Sequence, residues 1–147
     1  MRKQFSGKEI KELLDTLPEQ LRIFSKKDKL ERVDSILKFN EAPFMIYVEE
    51  HMIPHLKFLQ KDPHVYPCLS VDKGAIPFLI KGADLMRPGI RKIEPCKKND
   101  IVVVIDETYG KAIAVGISLY DAEEMQTMEK GKVMRNVHYV GDTYWNS

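Results

Sequence analysis

Cationic side chains concentrate in one short segment of the chain, residues 71–92, with the sequence VDKGAIPFLIKGADLMRPGIRK. Two of its residues, Asp72 and Asp84, are acidic and five are basic, so the segment has a net charge of +3. Lysine and arginine neutralise phosphate groups, and each such contact releases counterions from a nucleic acid. We therefore predict an anion-binding surface whose charged members are Lys73, Lys81, Arg87, Arg91 and Lys92.

Three glycines, Gly74, Gly82 and Gly89, divide this segment. A partner can approach the backbone closely at glycine, although tight turns need glycine whatever the function. Backbone N–H groups near Ala75, where a short helix is predicted to begin, are placed to meet a phosphate. Arg87 has the planar fork that binds a phosphate or a base edge through two hydrogen bonds. For Lys81 and Lys92, solvated surface charge is the simpler interpretation.

Patterns typical of enzymes and metal sites are missing from the sequence. His51 and His55 have the i, i+4 spacing of a zinc pair, but no HExxH motif or third ligand accompanies them. There is no P-loop, no GxGxxG motif and no recognisable nucleophile–base set. Two cysteines, Cys68 and Cys96, are too few for a disulfide framework, so reduced structural thiols are expected, with a redox pair as the alternative. We predict no enzyme, no catalytic residue, no metal and no cofactor.

Composition limits the class of protein. A chain of 147 residues, 44% of them apolar, can form one good core or two small ones. The net charge of +1 excludes a global basic field, so any nucleic-acid signal must be local. No apolar run approaches the roughly 20 residues of a membrane span, and residues 1–8 lack the apolar core of a signal peptide. We expect a cytoplasmic protein that does not contact a membrane.

Charge is unevenly distributed along the chain. Residues 106–129 have a net charge of −5, opposite in sign to residues 71–92. If the two segments lie on different faces, one face suits RNA and the other repels it or meets a basic protein. A second basic cluster, Lys26, Lys27, Lys29 and Arg32, either extends the RNA footprint or keeps a strand edge in solution.

The elements that must position these residues divide near Asp62-Pro63, which predicts two domains, residues 1–63 and 64–147. In the first, Ser6 and Glu9 predict a capping box for an amphipathic helix that Pro18 ends. Strands are predicted within residues 29–48, with a turn at 40–42. Apolar residues at helical spacing predict a helix over residues 52–59, with a proline in its first turn.

The second domain is predicted to be mostly β. Residues 101–105 form a branched apolar run typical of a strand buried on both faces. A second strand covers residues 111–119, in which Gly116 indicates a bulge or a close approach, and a last strand covers 132–140. Asp121 and Glu124 predict a capping box for a helix that Gly131 ends. Short strands, tight turns and two short helices predict a small, nearly closed barrel onto which Trp145 folds back.

Residues 66–145 resemble the PUA domain, an RNA-binding module. The matching motifs are VDKGA (71–75), GADLMRPGI (82–90), NDIVVV (99–104), KAIAVG (111–116) and NVHYVGDTYW (136–145). DKGAI, GAxxMxPG and the final NxHYxxDxxW are hallmarks of one branch, the malignant T-cell-amplified sequence family with the N-terminal half of ligatin. Residues 1–63 resemble the pre-PUA domain of that branch, and the short chain resembles its stand-alone archaeal form.

The resemblance implies an α+β fold, with an N-terminal α/β pre-PUA domain followed by a mostly β PUA pseudo-barrel with two short helices. It implies a role in translation, in which such proteins bind the small ribosomal subunit and help to place or release tRNA at initiation, reinitiation or recycling. The eukaryotic members work with an initiation-factor-like protein partner. PUA domains bind RNA through the helix, the loop after it and the final strand, which adds Arg135 and Tyr139, although core packing is the simpler interpretation of Tyr139.

We therefore predict a non-enzymatic RNA-binding protein whose ligand is a tRNA or small-subunit ribosomal RNA. Two alternatives stay open: a protein-interaction scaffold whose acidic face binds a partner, and the RNA-binding subunit of an RNA-modification complex. The predicted RNA-binding residues are Lys73, Gly74, Lys81, Gly82, Arg87, Gly89, Arg91, Lys92, Arg135 and Tyr139.

Overall fold

A computed structural model describes residues 1–147 of the chain. The capping box predicted at the start of the first helix is formed: Ser6 Oγ accepts the N–H of Glu9, and the Glu9 carboxylate accepts the N–H of Ser6. This helix, α1, spans Gly7–Asp15 and buries Ile10 and Leu14. Both side chains belong to the core under the first sheet, so the apolar stripe read from the sequence is the packing face.

The first sheet is an antiparallel meander in which each strand pairs with the next along the chain. Asn40 and Glu41 form the two-residue turn between its third and fourth strands, with φ angles of 51° and 71°. Positive φ at both positions is the backbone of a primed hairpin turn, which matches the twist of the strands. The strands are β1 (Arg2–Gln4), β2 (Leu30–Val33), β3 (Ile36–Phe39), β4 (Ala42–Val48) and β5 (His51–Pro54).

The helix predicted over residues 52–59 is wrong in its first half. His51–Pro54 is strand β5, which pairs antiparallel with β4, and only Leu56–Leu59 forms a helix, α2. Pro54 ends an edge strand, where its missing N–H costs no ladder bond. The apolar spacing that suggested one helix fits a strand followed by a single helical turn equally well.

The second sheet is mixed and has six strands. One pair of its strands, β6 (Cys68–Val71) and β9 (Ile101–Asp106), is parallel, and all the other pairs are antiparallel. The bulge predicted at Gly116 is present: the register shifts there, and a Cβ would lie 2.2 Å from the carbonyl oxygen of Arg135. The strands are β6 (Cys68–Val71), β7 (Leu85–Met86), β8 (Ile90–Ile93), β9 (Ile101–Asp106), β10 (Ala112–Ser118) and β11 (Lys132–Tyr139).

Two short helices accompany this sheet, α3 (Ile76–Leu79) and α4 (Ala122–Thr127). The capping box predicted for α4 is not formed, because the Asp121 carboxylate accepts the N–H of Lys98 instead of one in its own helix. The helix ends at Thr127, four residues before Gly131. Cys68 and Cys96 are free and buried, and this burial raises the pKa of both thiols, that of Cys68 to about 12.

The two sheets share a core. The larger cluster of buried side chains joins Phe44 and Leu56 from the first half of the chain to Val103 and Ile105 from the second, and a smaller cluster covers the other face of the second sheet. The predicted α+β class is confirmed. The predicted boundary near residue 63 lies in the 3-10 turn Pro63–Val65 that connects the sheets, and independent domains stay a prediction. None of the helices has the length and apolar character needed to cross a membrane.

A buried network of hydrogen bonds connects the two halves of the fold. We call it the His138 junction, and it comprises His55, Leu56, His138, Asp142 and Tyr144. The backbone N–H of Leu56 donates to Nε2 of the fully buried His138 at 3.1 Å. The proton of His138 must therefore be on Nδ1, which donates to Asp142 Oδ2 at 2.8 Å. The same carboxylate also accepts two backbone N–H groups, from Tyr139 and Trp145.

His55 completes the junction from the other side. Its Nδ1 accepts the N–H of Lys57, so it caps helix α2, and its Nε2 donates to the carbonyl oxygen of Tyr144 at 2.9 Å. Burial lowers the pKa of His55 to about 4. Trp145 is half-buried against the shared core, so the chain end folds back as predicted. Both histidines are neutral supports of the fold.

Candidate nucleic-acid interface

The cationic segment leaves the second sheet at the end of β6 and returns as β8, and Asp72 fixes its base. Asp72 Oδ1 accepts the N–H of Ala75 at 3.1 Å, and Oδ2 accepts Nη2 of Arg91 at 3.0 Å. Gly89 lets the corner close, since a Cβ there would lie 3.1 Å from the Ala75 Cβ, and a Cβ at Gly74 would lie 3.2 Å from Asp72 Oδ1. The N–H of Ala75 itself is occupied by Asp72, so phosphate binding by backbone N–H groups near Ala75 stays a prediction for its neighbours.

An open groove of about 380 Å³ lies between α3 and β7. Its walls are mainly apolar, and two of its large side chains are exposed, Phe78 at 67% and Met86 at 48%. Clustered exposed apolar side chains are typical of interaction sites. The groove is lined by Asp72, Gly74, Ala75, Phe78, Leu79, Ala83, Asp84, Leu85, Met86, Pro88 and Gly89.

The Asp84 carboxylate in the groove wall is neutralised by the protein itself. Its Oδ2 lies 2.8 Å from Lys132 Nζ, and its Oδ1 accepts the N–H of Asn136 at 2.8 Å. Desolvation alone would raise the pKa of Asp84, but these hydrogen bonds outweigh it and the pKa is lowered. Asn136 also donates to the carbonyl oxygens of Leu79 and Ala83, which fixes the turn after α3. The groove therefore keeps its shape without presenting unpaired negative charge.

The lysines of the segment are free. Lys73 precedes α3, Lys81 follows it and Lys92 lies on β8, and all three are exposed and take part in no salt bridge. Lysine side chains in this state can move to meet phosphate oxygens without first breaking an internal contact. They are the cations that the fold leaves available to a ligand.

The arginines, by contrast, are already engaged. Arg87 is half-buried, and its Nε and Nη1 donate to the carbonyl oxygens of Met125 and Ile90 at 2.7 and 3.2 Å. Both terminal nitrogens of Arg135 donate to the carboxylate of Glu49 at 2.9 Å, which ties β11 to the turn after β4. A planar guanidinium group is suited to two parallel hydrogen bonds. In both arginines the acceptors are groups of this chain and not of a ligand.

Gly82 and Tyr139 meet beneath the end of α3. Gly82 has a φ of +95°, and a Cβ there would lie 3.3 Å from the Tyr139 ring. Tyr139 is half-buried and packs against the core of the second sheet. Its contacts therefore agree with core packing, the simpler interpretation of this residue.

The second basic cluster is only partly free. Arg32 lies over the Tyr47 ring at 4.4 Å, and Lys29 Nζ lies 3.7 Å from a Glu41 carboxylate oxygen. Lys26 and Lys27 are exposed and form no ion pair. Two of the four cations thus support the first sheet, and two face solvent.

Phe78 and Met86 are the site residues that sequence reasoning missed. A signal was present, because helix α3 has four residues and the apolar run IPFLI is longer than one short helix can bury. Only Leu79 of that run is fully buried. An apolar run next to glycine turns and lysines was therefore a sign of an exposed apolar surface.

Comparison with known proteins gives concordant matches. Residues 67–140, half of the chain, match the family model described as PUA domain. Translation machinery-associated protein 20 of Eremothecium gossypii is 30% identical over 150 residues, which cover 93% of this chain and 79% of that protein. Malignant T-cell-amplified sequence 1 of Rattus norvegicus is 32% identical over 120 residues, covering 79% and 66%.

The same architecture occurs in a solved structure. The crystal structure of hypothetical protein PH0734.1 from Pyrococcus horikoshii superposes with a TM-score of 0.86 and 26% identity, covering 99% of this chain and 98% of that one. The match includes the first sheet as well as the second, so both halves of the chain and their arrangement recur together.

Proposed function

The chain belongs to the PUA-domain family, with malignant T-cell-amplified sequence 1 and translation machinery-associated protein 20 among its relatives, and on that premise we propose that it binds structured RNA in the cytoplasm and acts in translation. The RNA is a tRNA or the ribosomal RNA of the small subunit, and an initiation-factor-like protein is the expected partner. The observation that carries the proposal is the apolar groove beside α3, with its exposed Phe78 and the unpaired lysines before and after that helix.

The groove suits an unstacked nucleotide. Phe78 supplies an exposed aromatic face, and a base stacked on such a face gains about 1–3 kcal/mol. Lys73 and Lys81 supply charge for the phosphates on either side. The carboxylates of Asp72 and Asp84 do not oppose this, because each is paired within the protein.

The lining of the groove also favours binding over catalysis. It includes no histidine, cysteine, serine or lysine, and its two carboxylates are held in ion pairs. A nucleophile or general base needs a free, positioned side chain, and the groove offers none. We therefore propose a non-enzymatic role.

Salt dependence of RNA binding tests the lysines. Replacing Lys73 and Lys81 together by glutamine should reduce the slope of log affinity against log salt for tRNA by about 2, because each phosphate contact contributes about 1. The matched control replaces Lys97 and Lys98, which are exposed in the loop before β9 next to Asp121. The control should keep the wild-type slope, measured by fluorescence anisotropy with both variants folded.

Base stacking is tested separately by Phe78→Ala. This side chain is mostly exposed, so its loss should leave stability nearly unchanged while tRNA affinity falls by roughly 5- to 150-fold. If both this variant and the lysine pair bind as wild type does, the groove is the wrong site. If the wild type binds neither tRNA nor the small subunit, the proposed function fails as well.

The alternatives predict other outcomes. Glu123 and Glu124 of α4 are exposed and make no ion pair, so a scaffold function would use this face to bind a basic protein. The scaffold function would be favoured if the chain captures one protein and nuclease treatment does not release it. Charge reversal at Glu123 and Glu124 should then abolish the capture. Sequencing of RNA crosslinked in cells separates a translation role from an RNA-modification complex. Replacing Lys26 and Lys27 in the salt titration decides whether the second basic cluster joins the footprint.

A further inference from the structure

Three side chains with metal-binding chemistry converge where the connector between the sheets meets the second sheet. His64 lies in the 3-10 turn Pro63–Val65, Cys68 begins β6 and Glu94 directly follows β8. His64 Nδ1, Cys68 Sγ and a Glu94 carboxylate oxygen all lie within 4.8 Å of one another. In no other group of three such side chains do the ligand atoms lie this close to one another.

We propose that His64, Cys68 and Glu94 form a site for a divalent transition metal, and that the site suits Zn²⁺. Zinc takes imidazole nitrogen, thiolate sulfur and carboxylate oxygen at about 2.0–2.3 Å, so ligand atoms of a tetrahedral site lie roughly 3.3–3.8 Å apart. His64 Nδ1 and Glu94 Oε2 are already 3.0 Å apart. A shift of roughly 1 Å brings the thiol into range, and water can take the fourth position because His64 faces solvent.

The surroundings already orient the three ligands. The backbone N–H of Cys68 donates to Glu94 Oε1 at 2.8 Å, which leaves Oε2 for the ligand position. The N–H of His64 donates to Asp62 Oδ1 at 3.0 Å, which holds the turn that carries the imidazole. Such hydrogen bonds to ligand residues are the usual means of fixing metal ligands.

The bonding change is balanced by one proton. The Cys68 thiol now donates to the carbonyl oxygen of Pro63 at 3.3 Å. On metal binding the S–H bond breaks, a metal–sulfur bond forms and the thiol proton leaves to solvent. His64 Nδ1 now donates its proton to Glu94, so that N–H bond breaks as the metal–nitrogen bond forms, and the exposed Nε2 carries the ring proton instead. Metal bound there would link the connector, β6 and the chain after β8, so it would strengthen the region where the two sheets meet.

Cobalt binding tests the site, because a Co²⁺–thiolate bond gives a charge-transfer band in the near ultraviolet. EDTA-treated full-length protein, titrated with Co²⁺ at mildly alkaline pH, should develop this band at one equivalent per chain and lose it when Zn²⁺ is added. Cys68→Ser should abolish the band, and His64→Gln should weaken Co²⁺ affinity by more than about tenfold. Zn²⁺ should also raise the melting temperature of the wild type but not of Cys68→Ser.

Two variants serve as matched controls. Cys96→Ser removes the other buried thiol, which contacts Ser118, and His51→Gln removes a histidine outside the cluster. Both should bind Co²⁺ as the wild type does. The proposal is overturned if the wild type shows no thiolate band, or if the band survives Cys68→Ser or disappears in Cys96→Ser. His64→Gln changes a largely exposed side chain, so it remains a fair test if the cysteine variant fails to fold.

Discussion

Replacing His138 by leucine should weaken the contact between the two sheets, and so lower the free energy of unfolding, while the volume of the core changes little. In the folded protein the imidazole accepts the N–H of Leu56 and donates to Asp142, and it is fully buried. Leucine fills similar space but offers neither group. The perturbation therefore isolates the hydrogen bonds of the His138 junction from the packing around them.

The expected cost follows from the two contacts. The orphaned N–H of Leu56 is buried among core side chains and should cost about 1–3 kcal/mol. Asp142 loses one hydrogen bond to a charged group, worth about 1.5–3 kcal/mol, but keeps those from Tyr139 and Trp145. We expect a loss of about 3–5 kcal/mol in the free energy of unfolding and a fall in melting temperature of roughly 10 °C or more.

Urea denaturation near neutral pH measures this loss. His138→Gln is the rescue variant, since its amide oxygen can accept the Leu56 N–H, and it should recover at least half of the stability. His51→Leu is the matched control, because His51 is only half-buried and makes no side-chain hydrogen bond, and it should stay within about 0.5 kcal/mol of wild type. A loss below about 1 kcal/mol for His138→Leu, or an equal loss for both His138 variants, would refute this account of the junction.

Three further predictions concern His55, the glycines and Arg87. The free energy of unfolding should fall by about 2–3 kcal/mol between pH 6.5 and 4.5, because His55 takes up a proton near pH 6.5 in the unfolded chain but only near pH 4 in the folded protein. Urea titrations at both pH values measure this fall. The reasoning is contradicted if stability does not change with pH, or if His55→Asn shows the same pH dependence as the wild type. Gly116→Ala should lower the free energy of unfolding by about 3 kcal/mol or prevent folding, because the added Cβ would meet a backbone atom. Gly110→Ala should lower it by only about 1–2 kcal/mol, because Gly110 has a φ of +68° but open space around it. Thermal melts compare the two variants, and equal losses of stability would be inconsistent with this reasoning. Arg87→Gln removes both the charge and the planar fork, so stability should drop by about 1–2 kcal/mol while the salt slope of RNA binding stays unchanged. A smaller slope in a fully stable variant would assign Arg87 to the RNA surface.

Local signals in the sequence predicted much of the fold. The capping box at Ser6 and the branched run that forms β9 depend on residues a few positions apart, and both are confirmed. The helix predicted over residues 52–59 failed because its three apolar positions fit two structures equally well. The box predicted at Asp121 failed because Lys98, 23 residues earlier, supplies a competing N–H.

The candidate site was less predictable, because it depends on which charges find partners. The sequence favoured Arg87 for its planar guanidinium group, yet Arg87 and Arg91 have internal partners and Lys73 does not. The same limit hid the role of the NxHYxxDxxW motif. Its histidine bonds a backbone group 82 residues away, and no spacing rule within the motif reveals that contact.

The order of strands along the chain has a consequence for synthesis. All partners of the first sheet are present once residue 54 has been made, since only consecutive strands pair. The apolar face of that sheet, however, packs against Val103, Ile105 and Val115, roughly fifty residues further along the chain. During synthesis the N-terminal half emerges first, so this apolar face stays exposed to solvent until β9 and β10 have been made. In that interval the chain is most prone to associate wrongly with other chains. The rate at which the last third of the chain is synthesised therefore sets how long the apolar face of the first sheet stays exposed.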